Sequence, residues 1–126
     1  MKESAQNYLE TILLIEKDAG TVRSIDVANA LGVTKPSVSR AMGKLKAAGL
    51  IEMDESSKIV LTKKGKREAN LILEKHETVT QFLMMTTDVS EEIAREDAAR
   101  ISYVMGEEVY SGVVSFIRQV EEYHEE

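Results

Sequence analysis

The stretch that decides the fold is residues 24–62, which read SIDVANALGVTKPSVSRAMGKLKAAGLIEMDESSKIVLT. Apolar residues recur at helical spacing on both sides of residues 31–34, LGVT, so the pattern predicts two helices joined by a tight glycine turn. After Gly49 the spacing becomes that of β-strands, with short runs at residues 50–53 and 59–62 and a polar turn at residues 54–58. Two helices followed by a hairpin predict a winged helix-turn-helix.

Capping residues and breakers set the expected ends of these two helices. Ser24 is the expected N-cap of the first helix, and Thr34 is that of the second, whose first turn tolerates Pro36. The second helix is expected to run to about Ala48 before Gly49 ends it. Its expected inward stripe consists of Val38, Met42 and Leu45.

Helical periodicity continues on both sides of this segment. Ser4 is expected to cap a helix over residues 4–18, and Thr62 is expected to cap a long helix from Lys63 to about Met85. Two more helices are expected over residues 90–105 and 107–123. The predicted fold is mainly α with a small β-hairpin wing, a winged helix-turn-helix at residues 1–70 being followed by a helical domain at residues 71–126.

Composition excludes several classes of protein. The 126 residues are 43% apolar and include no cysteine, which favours a globular core without disulfides, thiolate metal sites or a cysteine nucleophile. No apolar run approaches membrane-spanning length, and residues 1–6, MKESAQ, lack the apolar region of a signal peptide, so a cytoplasmic protein is expected. No glycine-rich phosphate loop or acid–base pair is evident, so an enzyme is not expected.

The net charge of −6 is unevenly distributed along the chain. Residues 20–75 hold 11 Lys and Arg against 6 Asp and Glu, a net of +5, whereas residues 76–126 hold 3 against 12, a net of −9. Binding fields are local, so the middle of the chain is the part expected to face an anion.

The outer face of the second helix is the predicted DNA-reading surface. Arg40 is long enough for a bidentate contact to guanine in the major groove, and small hydroxyls near the helix start permit close approach. Lys58 at the hairpin tip and the basic residues of 63–67 would meet phosphates, which position the protein without reading sequence. The alternative is an ordinary solvated face. The predicted DNA-binding residues are Thr34, Lys35, Pro36, Ser37, Ser39, Arg40, Lys44 and Lys58.

Several blocks of residues carry a resemblance to a known family. They are residues 8–12, YLETI; 28–39, ANALGVTKPSVS; 49–51, GLI; 61–65, LTKKG; 75–83, KHETVTQFL; and 104–109, VMGEEV. In this order they resemble the metal-dependent repressors of the diphtheria-toxin-repressor and manganese-transport-regulator type, in the short, manganese-type architecture. The resemblance implies repression by a homodimer on two-fold-related, double-stranded DNA, with residues 71–126 forming the dimerisation and metal-binding half.

The resemblance also implies where a divalent metal would bind, and there the sequence departs from the family. Glu10 and His76 match two ligand positions. The remaining ligand positions hold residues that bind metal weakly or not at all: Asn7, Ala99, Ser102 and Tyr103. Two further positions of an auxiliary site hold Thr80 and Arg95. A degenerate site is expected, with either no cofactor or a weakly bound divalent metal of the Mn or Fe type.

The sequence leaves alternatives open. Arg95 or Arg100 is one hypothetical source of a permanent cation in place of the metal, and a relocated metal site would use Glu107, Glu108 or His124. For the whole chain, the alternatives are an ordinary Mn- or Fe-activated repressor and, less favoured, a winged-helix protein-interaction module without DNA binding.

Overall fold

The computed structural model describes residues 1–125 of the chain. Within these residues lie six helices and two strands: α1 (Glu3–Ala19), α2 (Ser24–Leu31), α3 (Lys35–Ala47), β1 (Ile51–Met53), β2 (Ile59–Leu61), α4 (Lys63–Thr86), α5 (Glu91–Val104) and α6 (Glu107–Glu125). The strands pair antiparallel, with Ile51 opposite Leu61 and Met53 opposite Ile59. The prediction of a mainly helical fold with a small β-hairpin wing is confirmed.

The chain divides into two compact units, Met1–Ile72 and a second unit that begins at Leu73, and the division falls inside α4. The core of the first unit packs α1 against α2, α3 and the hairpin. Its buried apolar side chains include Leu9, Ile12, Leu13, Val27, Val38, Leu45 and Ile51. The core of the second unit includes Val79, Ala94, Ala98, Val113 and Ile117.

The hairpin is fastened to the rest of the first unit along its second strand. The backbone N–H of Ile59 donates to the carbonyl of Val22 over 2.8 Å, so the segment before α2 runs beside β2. Val22, Ile51 and Ile59 are all buried, which anchors the wing through its apolar face.

The helix starts show which capping predictions hold. Thr34 caps α3 and Ser90 caps α5, each accepting a hydrogen bond from a backbone N–H three residues on. The prediction for Ser24 is wrong: Ser24 is the first helical residue, and Arg23 precedes it. The backbone N–H of Arg23 donates to the carboxylate of Asp26 over 2.9 Å. Asp26, and not Ser24, therefore supplies the side-chain acceptor for a backbone N–H at the start of α2.

The prediction for Ser4 is also wrong. Helix α1 begins at Glu3, one residue earlier than expected, and Lys2 stands at the N-cap without a side-chain hydrogen bond. The polar start of α1 contains three helix-tolerant residues in a row, so no capping side chain is required for the helix to begin one residue sooner. No helix among the described residues is long and apolar enough to cross a membrane.

Candidate nucleic-acid interface

Helix α3 separates its side chains into a buried and an exposed face. Val38, Met42 and Leu45 are buried as predicted, because they recur at intervals of three and four residues. The predicted DNA-binding side chains of this segment are on the other face, all exposed except the half-buried Ser37: Thr34, Lys35, Pro36, Ser37, Ser39, Arg40 and Lys44.

The first turn of α3 holds a short chain of polar contacts. Besides capping the helix, the Thr34 hydroxyl donates to the Ser37 hydroxyl over 2.9 Å. The guanidinium of Arg40 lies 3.4 Å from the same Ser37 oxygen, which is a long and therefore weak hydrogen bond. Arg40 is thus aligned along the exposed face without a strong intrachain partner there, and its remaining donors are available to an external acceptor.

The wing tip is ordered by one carboxylate. Asp54 accepts hydrogen bonds from the backbone N–H groups of Ser56 over 2.8 Å and Lys58 over 3.0 Å. These bonds to the ionised form, above all the one from Lys58, hold the pKa of Asp54 below its ordinary value. Ser57 takes the left-handed conformation, with φ of 61°, that the tight turn requires.

Arg23 joins the wing tip to the start of α2. Its guanidinium donates to the carbonyl of Ser56 over 2.9 Å, although the two residues are 33 positions apart in the sequence. Lys58, the predicted phosphate contact, therefore lies in a turn that is stabilised by Asp54 within the hairpin and by Arg23 from the start of α2. This contact was not predicted, because a local sequence pattern carries no information about a partner so distant along the chain.

The base of the wing is closed by a cluster around Thr62. The Thr62 hydroxyl donates to the Gly49 carbonyl over 2.6 Å and accepts from the backbone N–H of Gly65 over 3.0 Å, which confirms Thr62 as the cap of α4. Gly65 itself is buried against the backbone of Leu50, where a side chain would overlap the Leu50 carbonyl oxygen.

The basic residues at the start of α4 are not all equivalent. Lys64 donates to the carbonyl of Ala48 over 3.2 Å, and Lys66 pairs with Glu16 over 3.3 Å. Both were predicted to meet phosphates, and both have partners within the chain that DNA would have to displace or share. Lys63 and Arg67 are exposed on the same turns.

In the second unit, three of the positions that the family resemblance assigns to metal ligands hold poor donors. Ala99 carries only a methyl group, and Ser102 is 2% exposed, with its hydroxyl donating to the Ala98 carbonyl over 2.6 Å. Tyr103 is 37% exposed. A neutral hydroxyl that already donates to a carbonyl, a methyl group and a phenol do not replace the carboxylates and imidazole that bind Mn or Fe.

The rest of the described chain supplies no substitute cluster. Residues 1–125 contain no group of three His, Cys, Asp or Glu side chains placed to hold a metal ion. Thr80, at an auxiliary-site position, is buried and donates to the carbonyl of His76 over 2.7 Å.

The structure gives the ion-pair partner of Arg95 and the positions of the acidic residues proposed for a relocated metal site. The guanidinium of Arg95 is bound twice by the carboxylate of Glu91, one turn earlier on the exposed face of α5, over 2.9 and 3.2 Å. A relocated site that combined Glu107, Glu108 and His124 of one chain is excluded by distance, because Glu107 and Glu108 begin α6 while His124 lies in its last turn. Sixteen helical residues separate them by about 24 Å.

A polar cluster that sequence analysis missed joins α4 to the start of α6. The ammonium of Lys75 donates to the carbonyl of Met105 over 3.1 Å and lies 5.5 Å from the centre of the Tyr110 ring. The Tyr110 hydroxyl is 3.3 Å from that of Thr78. Lys75 thereby satisfies a carbonyl at the C-terminal end of α5 and fixes the turn into α6.

Comparison with known proteins decides the family. Residues 1–63 match the model of the iron dependent repressor N-terminal DNA binding domain, and residues 62–125 match that of the iron dependent repressor metal binding and dimerisation domain. The chain belongs to the iron-dependent repressor family. This is a family of DNA-binding transcriptional regulators rather than of enzymes, and its members respond to divalent metals.

Individual relatives agree with this membership. The chain is 36% identical over 107 residues to the transcriptional regulator MntR of Escherichia coli O157:H7, covering 85% of this chain and 68% of that protein. It is 28% identical over 120 residues to an HTH-type transcriptional regulator of Methanocaldococcus jannaschii, covering 94% and 96%.

A solved structure gives the same fold. The crystal structure of T. acidophilum IdeR superposes with a TM-score of 0.80 at 28% identity, covering 89% of this chain. The chain spans about half of that structure's length, 53%. The winged-helix fold with a following helical domain is therefore shared with that protein.

Proposed function

We propose that this member of the iron-dependent repressor family is a sequence-specific transcriptional repressor, not an enzyme, that binds a two-fold-related operator as a homodimer. The observation that carries the proposal is the pairing of an exposed polar and basic face on α3 with a wing whose tip is held by Asp54 and Arg23. Two such units related by a dimer axis would place two copies of α3 in successive major grooves.

Each part of this surface has a proposed role. Arg40 reads a base edge, since its planar guanidinium can donate to both acceptors of guanine. Ser37 and Ser39 contact bases or phosphates near the start of α3. Lys35, Lys44 and Lys58 contact phosphates, which set the register of the protein on the duplex. Thr34 and Pro36 fix where α3 begins and so how its first turn enters the groove.

Residues 1–70 are proposed as the DNA-binding domain and residues 71–126 as the dimerisation domain. The second unit supports this by its exposed apolar side chains, among them Val104 at 77% and Val109 at 59% exposed, with Met84 and Phe116 exposed as well. In a monomer these apolar side chains would stay exposed to water, which is unfavourable. In a dimer a second copy of the chain would cover them.

We also propose that this chain binds DNA without a metal at the family's principal site. Glu10 and His76 are the two strong donors that remain, whereas regulatory sites normally use three or four ligands. Asn7 adds only a neutral amide oxygen, and Ala99 and Ser102 add no charge to balance a divalent ion. Either no metal or only a weakly bound Mn- or Fe-type ion is consistent with such a donor set.

Fluorescence anisotropy tests the DNA-binding proposal. Labelled duplexes from the region upstream of the protein's own gene are compared with random duplexes of the same length and composition, at fixed salt. Binding to an upstream duplex at least about 1,000-fold tighter than to random DNA is the expected result for a specific regulator. Equal affinity for all duplexes would contradict sequence-specific binding.

A further inference from the structure

A groove of about 500 Å³ lies within the first unit, between the beginning of α1 and the exposed side of α3. From α1 it is lined by Lys2 and Tyr8, and from α3 by Ser37, Arg40 and Lys44. The α3 residues were predicted to bind DNA, whereas no residue of α1 was.

The groove is strongly one-sided in charge. Three cationic side chains line it and no carboxylate does. A second groove in the same unit, beside the wing, holds Lys58 and Lys66 together with Glu16 and Asp54, so its charges compensate one another. Field lines from like charges around a concave surface reinforce each other, so the α1–α3 groove suits an anion better than the groove beside the wing does.

We propose that this groove holds a backbone phosphate of the bound DNA and that Lys2, from α1, is one of its ligands. The proposal rests on the proposed function, since it extends the DNA contact from α3 to α1. DNA is the source of the phosphate because Arg40 and Lys44 belong to both the groove and the DNA-reading face of α3. A duplex lying along that face brings its sugar–phosphate strand to the mouth of the groove.

The neutral lining groups fit this role. Ser37 supplies a hydroxyl on the α3 side, and the hydroxyl groups of Ser and Tyr commonly donate to phosphate oxygens. Lys2 stands at the N-cap of α1, where the first backbone N–H groups of that helix point outward and add to the positive field. A phosphate contact from α1 would help to fix the position of the protein along the duplex without reading a base.

The test measures the salt dependence of DNA binding for the wild type, Lys2→Ala and Lys2→Arg by anisotropy. If Lys2 neutralises one phosphate in each subunit, Lys2→Ala lowers the magnitude of the slope of log K against log salt by about 0.9 per subunit, or about 1.8 for the dimer. Affinity should fall roughly fivefold, and by the same factor on operator and random duplexes. Lys2→Arg should restore both, because it keeps the charge and adds donors.

Lys17→Ala is the matched control. Lys17 is an exposed lysine in the last turn of the same helix, 15 residues and about 22 Å from Lys2, so its loss removes the same net charge at a distance from the groove. Its effect on the slope should be small. Equal slopes for the wild type and Lys2→Ala, or equal losses for Lys2→Ala and Lys17→Ala, would overturn the proposal.

A further arm separates DNA from a free anion. Inorganic phosphate is added at constant ionic strength to protein without DNA, and the backbone amides of α1 and α3 are followed by NMR. Saturable shifts around Lys2, combined with an unchanged DNA slope for Lys2→Ala, would assign the groove to a small anion and overturn the DNA assignment. A wild type that binds no DNA would overturn the proposed function itself, which is a different outcome.

Discussion

Gly65, in the first turn of α4, packs directly on the carbonyl group of Leu50, so that even a methyl group at position 65 would overlap the Leu50 oxygen. The Thr62 cluster brings the two backbones together, because Thr62 bonds to both Gly49 and Gly65. The contact between Gly65 and Leu50 fixes the position at which α4 begins after the hairpin, and it requires that residue 65 has no side chain.

Gly65→Ala is therefore expected to destabilise the protein. The new methyl group meets backbone rather than a flexible side chain, so the strain cannot be relieved by a rotamer change, and a loss of about 2–3 kcal/mol is expected. Denaturant unfolding followed by circular dichroism measures it. The control is Gly43→Ala: position 43 lies in α3 with nothing near its missing Cβ, so alanine should stabilise the helix by about 0.5–1 kcal/mol. Equal effects at the two positions would contradict the close approach.

Arg40→Ala is expected to lose specificity as well as affinity. If the guanidinium reads a base, its removal costs about 1–3 kcal/mol on the operator and much less on random DNA. Anisotropy titrations on both duplexes give the comparison. Arg40→Lys should recover affinity more than specificity, since an ammonium lacks the planar fork. A loss of the same size on both duplexes would show that Arg40 contacts phosphate only.

Lys58→Ala is expected to behave differently from Arg40→Ala. We expect Lys58 of the ordered wing to contact the DNA backbone, so its loss should weaken binding to operator and random DNA equally and lower the magnitude of the salt slope by about 0.9 per subunit, or about 1.8 for the dimer. Its control is Lys66→Ala, because Lys66 pairs with Glu16 within the chain. A specificity change confined to the operator after Lys58→Ala would mean that the wing reads bases.

The fold and the reading helix were largely predictable from sequence, whereas the contacts that position the wing were not. Val38, Met42 and Leu45 face inward because helical periodicity is a local property, and the same spacing leaves Arg40 outward. The Arg23–Ser56 bond joins residues 33 positions apart, and no window of sequence contains both. Ser24 was predicted as a cap from its type alone, but Asp26 reached back to the helix start instead.

The wing tip is expected to loosen only in strong acid. The folded pKa of Asp54 lies below its ordinary value of 3.8, so its ionised form stabilises the turn at all pH values above that, and the stabilisation is lost as pH falls through the lowered pKa. The amide resonances of Ser56 and Lys58, which bond to this carboxylate, should titrate with a midpoint below 3.8 by NMR. Asp54→Asn removes the titrating group and should abolish the transition. A midpoint at or above the ordinary value would contradict the hydrogen-bonded arrangement.

Restoring the ligand types should restore metal binding. A variant with Asn7→Asp, Ala99→Glu, Ser102→Glu and Tyr103→His places carboxylates and an imidazole at the positions where the family resemblance expects ligands. It should bind Mn²⁺ at least about 100-fold more tightly than the wild type, as measured by calorimetry. Adding His76→Ala to this variant is the control, and it should remove most of the gain. Unchanged affinity would show that the residues are not ligand positions in this chain.

The metal-ligand positions were assigned through the family resemblance. The donor chemistry at positions 99, 102 and 103 follows from residue identity alone. The burial of Ser102 and its bond to Ala98 required the structure, because a serine on a helix can face solvent or its own preceding turn. Arg95 was a plausible cation until its bonds to Glu91 were visible.

The most direct test of the central claim is the affinity of the wild-type protein for its operator in EDTA and in excess Mn²⁺. The upstream duplex and a random duplex are titrated by anisotropy in both solutions, at the same ionic strength and after metal removal from the protein. We predict tight, specific binding in EDTA that Mn²⁺ leaves unchanged within about twofold, since the free energy available from a two-donor site is small. Specific binding that appears only with Mn²⁺ would contradict the account and restore the ordinary metal-activated mechanism.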